Sequence, residues 1–259
     1  MPEPPIQSRL RWDDAEHLQV GKASFLVATD GAVGTRTTAD RFVLMKSKAM
    51  VESFLEHAPV GNVENIVDLG IFKGGSIAFY QQLFLPRRIV GIELHKDRVK
   101  GLDEFVSRHS LKDSVHLHYG TSQSDRKALA KIVHKEFRDQ PIDLVIDDCS
   151  HKYEPTKASL NFLLPRVRPG GVYVIEDWGW AHWPDEHWQG TSHQYSDEPD
   201  PLSKLILELV MVSESRPALI REVAVKSGAV YLTRGAEVVR DDTLDVSASY
   251  LTGGRKILE

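Results

Sequence analysis

The sequence predicts an α/β fold: a doubly wound, mostly parallel sheet of seven strands, preceded by a helical or irregular N-terminal extension. Two observations predict it. Short β-branched runs alternate with helix-length segments from residue 64 onward, and several of these runs end in glycine or acidic residues. Strands separated by helices of this length form βαβ units, whose strands lie parallel. We assign residues 1–58 to the extension and residues 59–259 to the sheet domain.

The elements follow one another in a regular order. Residues 1 to 38 are turn-rich, and TADRFVLMKSKAMVESFLEH then has apolar residues at helical spacing, with Thr38 or Asp40 as a cap. Five strands follow, ENIVDLG, RIVGIEL, SVHLHYG, IDLVIDD and VYVIEDW, with the helices SIAFYQQLFL, HKDRVKGLDEFVSRHS, RKALAKIVHKEF and TKASLNFLLPRV between them. A Trp- and His-rich loop leads to the helix LSKLILELVMV and the strands REVAVKS and AVYLTRG. Because that last helix is apolar all round, we expect it in the core or at a subunit interface.

Composition narrows the class of protein. The chain has 259 residues, a net charge of -5 and no long run of Lys or Arg, which argues against a nucleic-acid or membrane partner. Its single cysteine, Cys149, excludes an internal disulfide and fits a reducing compartment. With no apolar leader and no stretch of membrane-spanning length, the sequence predicts a cytoplasmic protein.

A glycine-rich turn after the first strand of the sheet predicts a ligand site. In IVDLGIFKGGS the turn offers Asp68, Gly70, Phe72, Gly74, Gly75 and Ser76. Its spacing is G-x-x-x-G-G, which lacks the glycine that admits a dinucleotide pyrophosphate. Glu93 ends the second strand, where an acid binds ribose hydroxyls, and Thr121, Ser122 and Gln123 follow the third strand, where small polar residues suit an adenine edge. Together these features favour a nucleoside ligand without a pyrophosphate; the alternative is a turn that only allows tight packing.

Acidic residues end the next two strands of the sheet. The fourth strand ends in IDDCSH, residues 146–151, and the fifth follows RPGG and ends in VIED, up to Asp177. With the D-L-G-x-x-x-G-G-S turn, these motifs resemble class I S-adenosylmethionine-dependent methyltransferases over about residues 60–190. Within that class the motifs resemble those of the macrocin and mycinamicin sugar O-methyltransferases and the related cephalosporin-hydroxylase-like group. The resemblance implies a Rossmann-like fold of the class I methyltransferases.

The resemblance also implies roles for the acidic strand ends. In this fold the fourth and fifth strands are neighbours, with carboxyl ends about 5 Å apart. Three carboxylates converge there, Asp148, Glu176 and Asp177, and they repel one another unless a positive charge lies among them. The resemblance implies that these three bind a metal, Mg²⁺, and that His151 is the general base. Asp147 would face the methionine end of the cofactor or support the loop.

Simpler interpretations of the same residues remain open. Asp147 and Asp148 could cap the next helix, and Glu176 and Asp177 could be a solvated strand end. Cys149 has no orienting partner for nucleophilic chemistry, and we interpret it as a packed residue. The loop cluster of Trp178, Trp180, Trp183 and Trp188 with His182, His187 and His193 predicts an aromatic substrate lid or an oligomer contact rather than a zinc site, because its spacing is irregular and it has no cysteine.

The predicted function is therefore O-methylation. We expect an S-adenosylmethionine- and Mg²⁺-dependent O-methyltransferase that acts on a small polyhydroxylated acceptor, a sugar or glycoside of antibiotic biosynthesis, and that forms a homo-oligomer. Three alternatives are a catechol-type O-methyltransferase, an NAD-binding oxidoreductase and a non-methylating, hydroxylase-related protein that binds the cofactor. The first would differ in its acceptor, the second in its nucleotide and the third in having no methyl transfer.

Overall fold

A computed structural model describes residues 6–29, 34–239 and 243–255 and contains the predicted seven-stranded sheet. Its strands are β5 (Asn65–Leu69), β6 (Arg88–Glu93), β7 (Val115–Tyr119), β8 (Ile142–Asp147), β9 (Val167–Glu176), β10 (Ile220–Val225) and β11 (Ala229–Arg234). They lie in the order β10-β11-β9-β8-β5-β6-β7. Strands β7, β6, β5, β8 and β9 pair in parallel, whereas β11 is antiparallel to both of its neighbours. The predicted doubly wound, mostly parallel sheet is confirmed.

Helices connect the strands as the alternation predicts. They are α1 (Lys48–His57), α2 (Gly75–Phe84), α3 (Lys100–Arg108), α4 (Arg126–Phe137), α5 (Tyr153–Leu163), α6 (Glu186–Gln189) and α7 (Leu202–Ser215). Helix α7 buries one face in the core but exposes Leu207 and Val210. Within the described parts of the chain, no helix is long and apolar enough to cross a membrane.

The N-terminal extension contains a second sheet that the sequence did not predict. Strands β1 (Leu10–Trp12), β2 (His17–Val20), β3 (Ala23–Val27) and β4 (Phe42–Leu44) form a four-stranded sheet in that order. The predicted helix beginning at Thr38 or Asp40 was wrong in its first half: helix α1 begins at Lys48, and Ser47 caps it by accepting from the amide of Met50 at 3.2 Å. The residues of β4 are buried, and a short apolar run of this kind fits a helix or a strand equally well. The parts of the extension at residues 1–5 and 30–33 lie outside the described residues.

The second sheet shares its core with the first. Phe25 and Phe42 of the small sheet contact Phe79 of α2 and Phe105 of α3, with ring centroids 5.9 and 5.1 Å apart. The extension therefore packs over α2, the helix that follows the glycine-rich turn. Residues 45–47, which connect β4 to α1, lie at the carboxyl edge of the large sheet. A boundary between residues 58 and 59 stays a prediction.

Candidate active site

A cavity of about 1550 Å³ lies at the carboxyl ends of the parallel strands, where ligands of doubly wound sheets bind. Its walls come from the glycine-rich turn, the loops after β6, β7, β8 and β9, and helix α1. Of the residues predicted to form the site, these line it: Gly70, Phe72, Gly75, Ser76, Glu93, Ser122, Gln123, Asp148, His151 and Asp177. The other predicted site residues do not line the cavity: Asp68, Gly74, Thr121, Asp147 and Glu176.

The glycines of the turn allow the chain to approach itself closely. A Cβ at Gly70 would lie 2.0 Å from the carbonyl oxygen of Asp148, and one at Gly75 would lie 2.1 Å from that of Val43. A Cβ at Gly74 would meet the side chain of Leu102 at 3.0 Å. Packing within the protein therefore accounts for all three glycines, as the simpler interpretation allowed. A role for Gly70 and Gly75 in cofactor binding rests on their place in the cavity wall.

Glu93 is the acid at the end of β6, and its carboxylate faces the cavity. Its Oε2 accepts from the amide of Phe72 and its Oε1 from the amide of His95, both at 2.9 Å. Phe72 has φ of 44°, a left-handed conformation that is unfavourable for a bulky residue. Phe72 and Leu94 are 60% and 58% exposed beside this carboxylate. A ligand the size of an aromatic ring would find apolar surface here, from Phe72 and Leu94, and one acidic hydrogen-bond acceptor, Glu93.

Asp68 is a buried carboxylate beneath the turn. It is fully buried, and neither of its side-chain oxygens has a hydrogen-bond partner among the described residues. Burial raises the pKa of Asp68 to about 7. An unpartnered buried carboxylate is costly, and a cationic or hydrogen-bonding ligand group would compensate it.

Asp147 supports the loop after β8 and is not among the residues that line the cavity, and its assignment to cofactor binding stays a prediction. Its carboxylate accepts from Gln123 Nε2 at 3.0 Å, Ser159 Oγ at 2.7 Å and the Tyr173 hydroxyl at 2.8 Å. Gln123 in turn accepts from the amide of Ser150 at 2.9 Å, so it connects Asp147 to the loop. Successive side chains of a strand point to opposite faces, which separates Asp147 from Asp148.

Asp148, His151 and Asp177 meet at the rim of the cavity. One oxygen of each carboxylate lies 3.9 Å from His151 Nε2. Ligand atoms of the three residues all lie within 4.8 Å of one another, close enough for one metal ion. His151 and Asp177 have φ of 56° and 50°, left-handed conformations that cost about 1 kcal/mol each. Such strain clusters at functional sites, and here it turns both side chains toward the same point.

Glu176, the third predicted metal ligand, lies outside this group. It is buried and pairs with the ammonium of Lys46, which also contacts Asp148 Oδ2 at 3.2 Å. Burial opposes the charge of Lys46, but Glu176 and Asp148 raise its pKa well above the usual value. Burial likewise opposes ionisation of Asp148, yet Lys46 and His151 hold the pKa of that carboxyl below its usual value. Lys46 is therefore a positive charge paired with two of the three predicted carboxylates, Glu176 and Asp148, and the sequence pattern gave no sign of it.

Aromatic residues of the loop after β9 form one wall of the cavity. Trp180 stacks on Tyr195 with ring centroids 4.6 Å apart, and its indole N–H donates to the carbonyl of His151 at 2.9 Å. Trp183 and Trp188 line the cavity with Tyr195. The loop thus acts as a wall beside His151, and a lid role for it stays a prediction. Burial raises the pKa of the Cys149 thiol far above its usual value, which fits a packed residue.

Comparisons with known proteins show that this part of the chain is similar to methyltransferases. Residues 67–178 match a family model described as "Methyltransferase domain". Demethylmacrocin O-methyltransferase of Streptomyces fradiae is 35% identical over 111 residues, which cover 43% of this chain and 25% of that protein. Mycinamicin VI 2''-O-methyltransferase of Micromonospora griseorubida is 32% identical over 142 residues, 54% of this chain and 32% of that protein. The chain therefore spans between a quarter and a third of the length of these two curated relatives.

A solved structure shares the fold. It is described as MycE methyltransferase from the mycinamycin biosynthetic pathway in complex with Mg, SAH and mycinamycin VI. At 24% sequence identity it has a TM-score of 0.53 and covers 73% of this chain and 49% of its own. The predicted resemblance to sugar O-methyltransferases and the class I methyltransferase fold are both confirmed.

Proposed function

We propose that the protein is an S-adenosylmethionine-dependent O-methyltransferase that binds a divalent cation, Mg²⁺, beside a hydroxyl of a small polyhydroxylated acceptor. One observation carries the proposal. Asp148, His151 and Asp177, from the ends of two adjacent strands, meet within 4.8 Å on a cavity that Glu93 and the glycine-rich turn also line. We infer that the nucleoside and the acid–base group lie in the same cavity.

The residues present fit the cofactor. Glu93 offers an acceptor at the end of β6, where ribose hydroxyls bind in doubly wound sheets. Phe72 and Leu94 offer exposed apolar surface for the base. The volume of about 1550 Å³ exceeds what one small molecule needs, so cofactor and acceptor fit together. When bound, S-adenosylmethionine supplies an activated methyl group.

The residues present also fit a hard cation. Asp148 and Asp177 offer carboxylate oxygens, the ligands that Mg²⁺ prefers, and acceptor hydroxyls or water would complete its shell. A bound cation lowers the pKa of a hydroxyl that it contacts. Glu176, the third ligand that the sequence predicts, has its carboxylate paired with Lys46.

The chain's own residues would move the proton. His151 Nε2 lies 3.9 Å from one carboxylate oxygen of Asp148 and 3.9 Å from one of Asp177, beside the proposed cation ligands. His151 Nε2 would accept the proton that the acceptor hydroxyl loses on methylation. Trp180 fixes the backbone of His151, and the aromatic wall keeps water from one side of the group.

The acceptor class rests on the cavity wall and on the relatives. Trp183, Trp188 and Tyr195 present aromatic surface beside the cation group, which suits a ligand with both hydroxyls and apolar faces. The two curated relatives are named as O-methyltransferases of demethylmacrocin and of mycinamicin VI, and the sequence motifs resemble those of sugar O-methyltransferases. We therefore propose a sugar or glycoside of antibiotic biosynthesis as the acceptor. The cytoplasmic location and the homo-oligomer stay predictions.

Two measurements test the proposal. Calorimetry with S-adenosylhomocysteine and with NAD comes first, and we expect binding of the former. A methyl-transfer screen over sugars, glycosides and catechols, with and without Mg²⁺, follows. Tight binding of NAD without a response to S-adenosylhomocysteine would identify an oxidoreductase. Transfer to catechols alone would identify the catechol-type enzyme, and cofactor binding with no transfer to any acceptor would identify the non-methylating alternative.

A further inference from the structure

Lys46 brings a buried positive charge from the N-terminal extension to the candidate site. It lies in the link between β4 and α1, outside residues 67–178 that match the family model. Its side chain is 4% exposed, and its ammonium contacts the carboxylates of Glu176 and Asp148. A buried ammonium with two carboxylate partners is held in place, because its burial is favourable only while both contacts persist.

The contacts of Lys46 divide the acidic residues into two sets. Asp148 directs Oδ2 to Lys46 and Oδ1 toward His151 Nε2. Glu176 directs Oε2 to Lys46 and is 5% exposed, whereas the side chain of Asp177 is 43% exposed. One set is an internal ion pair of Lys46 with Glu176. The other is the accessible group of Asp148, His151 and Asp177.

We propose that Lys46 is a positioning residue that keeps Glu176 out of the cation's ligand set and lowers the affinity of the accessible group for a divalent cation. The inference rests on the proposed function in so far as it takes that group to bind a cation. Lys46 acts in two ways: it occupies the carboxylate of Glu176, and its own charge repels a cation that shares Asp148 with it.

Weak binding of the cation alone has a functional consequence. The affinity of a group with two carboxylates and a nearby ammonium for a cation rises most when acceptor hydroxyls add further ligands. Cation and acceptor then strengthen each other's binding, since coupling between two ligands is reciprocal. The extension would in this way strengthen the coupling between cation binding and acceptor binding.

Titration of Mn²⁺ by calorimetry tests the inference without any turnover. Lys46→Met should bind Mn²⁺ about 10-fold more tightly than the wild type, or better, because the repulsion is lost and Glu176 is released. Lys46→Arg keeps the charge and should stay near the wild type. Lys48→Met is the matched control, since Lys48 is 44% exposed and contacts only Glu52 at 4.0 Å among the acidic residues of the described chain. Should Lys46→Met fail to fold, Lys46→Gln removes the charge and keeps a hydrogen-bond donor, with the same expected result.

Variants of the acidic residues complete the test. Glu176→Gln should change Mn²⁺ affinity by no more than about 3-fold, whereas Asp177→Asn should weaken it about 10-fold or more. In the Lys46→Met background, Glu176→Gln should reverse the gain, which a double-mutant cycle measures. Equal losses in Glu176→Gln and Asp177→Asn would make Glu176 a ligand and overturn the inference. So would unchanged or weaker binding in Lys46→Met. A wild type that binds no Mn²⁺ would overturn both this inference and the proposed cation site, while S-adenosylhomocysteine binding would still report on the methyltransferase proposal.

Discussion

Replacement of Glu93 tests how the cavity binds its cofactor. Each carboxylate oxygen accepts one amide at 2.9 Å, from Phe72 and from His95, and the side chain is 8% exposed. Glu93→Ala removes the acceptor offered to the ribose and also releases Phe72 from its left-handed conformation. A hydrogen bond to a charged group contributes about 1.5–3 kcal/mol, and part of that loss falls on the folded protein itself.

We therefore expect Glu93→Ala to weaken binding of S-adenosylhomocysteine by about 1–3 kcal/mol, which is roughly 5- to 150-fold in Kd. Calorimetry measures the affinity, and the melting temperature with and without ligand checks it, because a ligand of the native state raises Tm. Glu104→Ala is a control for the loss of an exposed carboxylate on α3, away from the cavity. If Glu93→Ala binds S-adenosylhomocysteine as the wild type does, the assignment of this end of the cavity to the nucleoside is refuted.

Three further predictions concern the walls and floor of the site. His151→Ala should lower kcat about 10²- to 10⁴-fold while S-adenosylhomocysteine affinity is retained, and near-normal kcat would remove its role as base. Trp180→Phe should lower kcat about 5-fold at unchanged acceptor KM, because one hydrogen bond is lost. Trp183→Ala should instead raise the acceptor KM. If both variants lose only stability, the role of the loop is structural. For Asp68, whose pKa burial raises to about 7, the carboxyl ionises in the unfolded chain from about pH 4 but in the fold only near pH 7. The folded wild type therefore loses stability as pH rises between these values. In urea unfolding, the stability of Asp68→Asn relative to the wild type should grow by about 2 kcal/mol from about pH 5 to pH 8. A difference that does not change with pH would contradict the assignment.

The large sheet and most of the cavity lining were predictable from the sequence. Alternating strands and helices determine where the carboxyl ends of β5, β6, β8 and β9 lie, so the residues that follow them meet at one edge. Strand periodicity also predicts that Asp147 and Asp148 point to opposite faces of the sheet. The left-handed conformations of His151 and Asp177 have no sequence signal, because neither residue type is specific for them.

The contribution of the extension could not be predicted. Strands β1 to β4 have three to five residues each, too few for periodicity to separate strand from helix or turn. Lys46 reaches Asp148 across 102 residues of sequence, and a single lysine before a helix carries no pattern. The two contacts that define its role depend on how the small sheet packs over α2. Such placement is a property of the tertiary structure alone.

The dependence of methyl transfer on a divalent cation tests the central claim most directly. The measurement is the turnover of an accepted sugar or glycoside at saturating S-adenosylmethionine, after treatment with EDTA and again after addition of Mg²⁺. We predict that EDTA abolishes turnover, that Mg²⁺ restores it and that S-adenosylhomocysteine binding is retained throughout, with Asp148→Asn reproducing the loss. Methyl transfer that persists in EDTA would contradict the account. Asp148 would then be a strand-end residue paired with Lys46, and Asp177 a solvated strand-end residue.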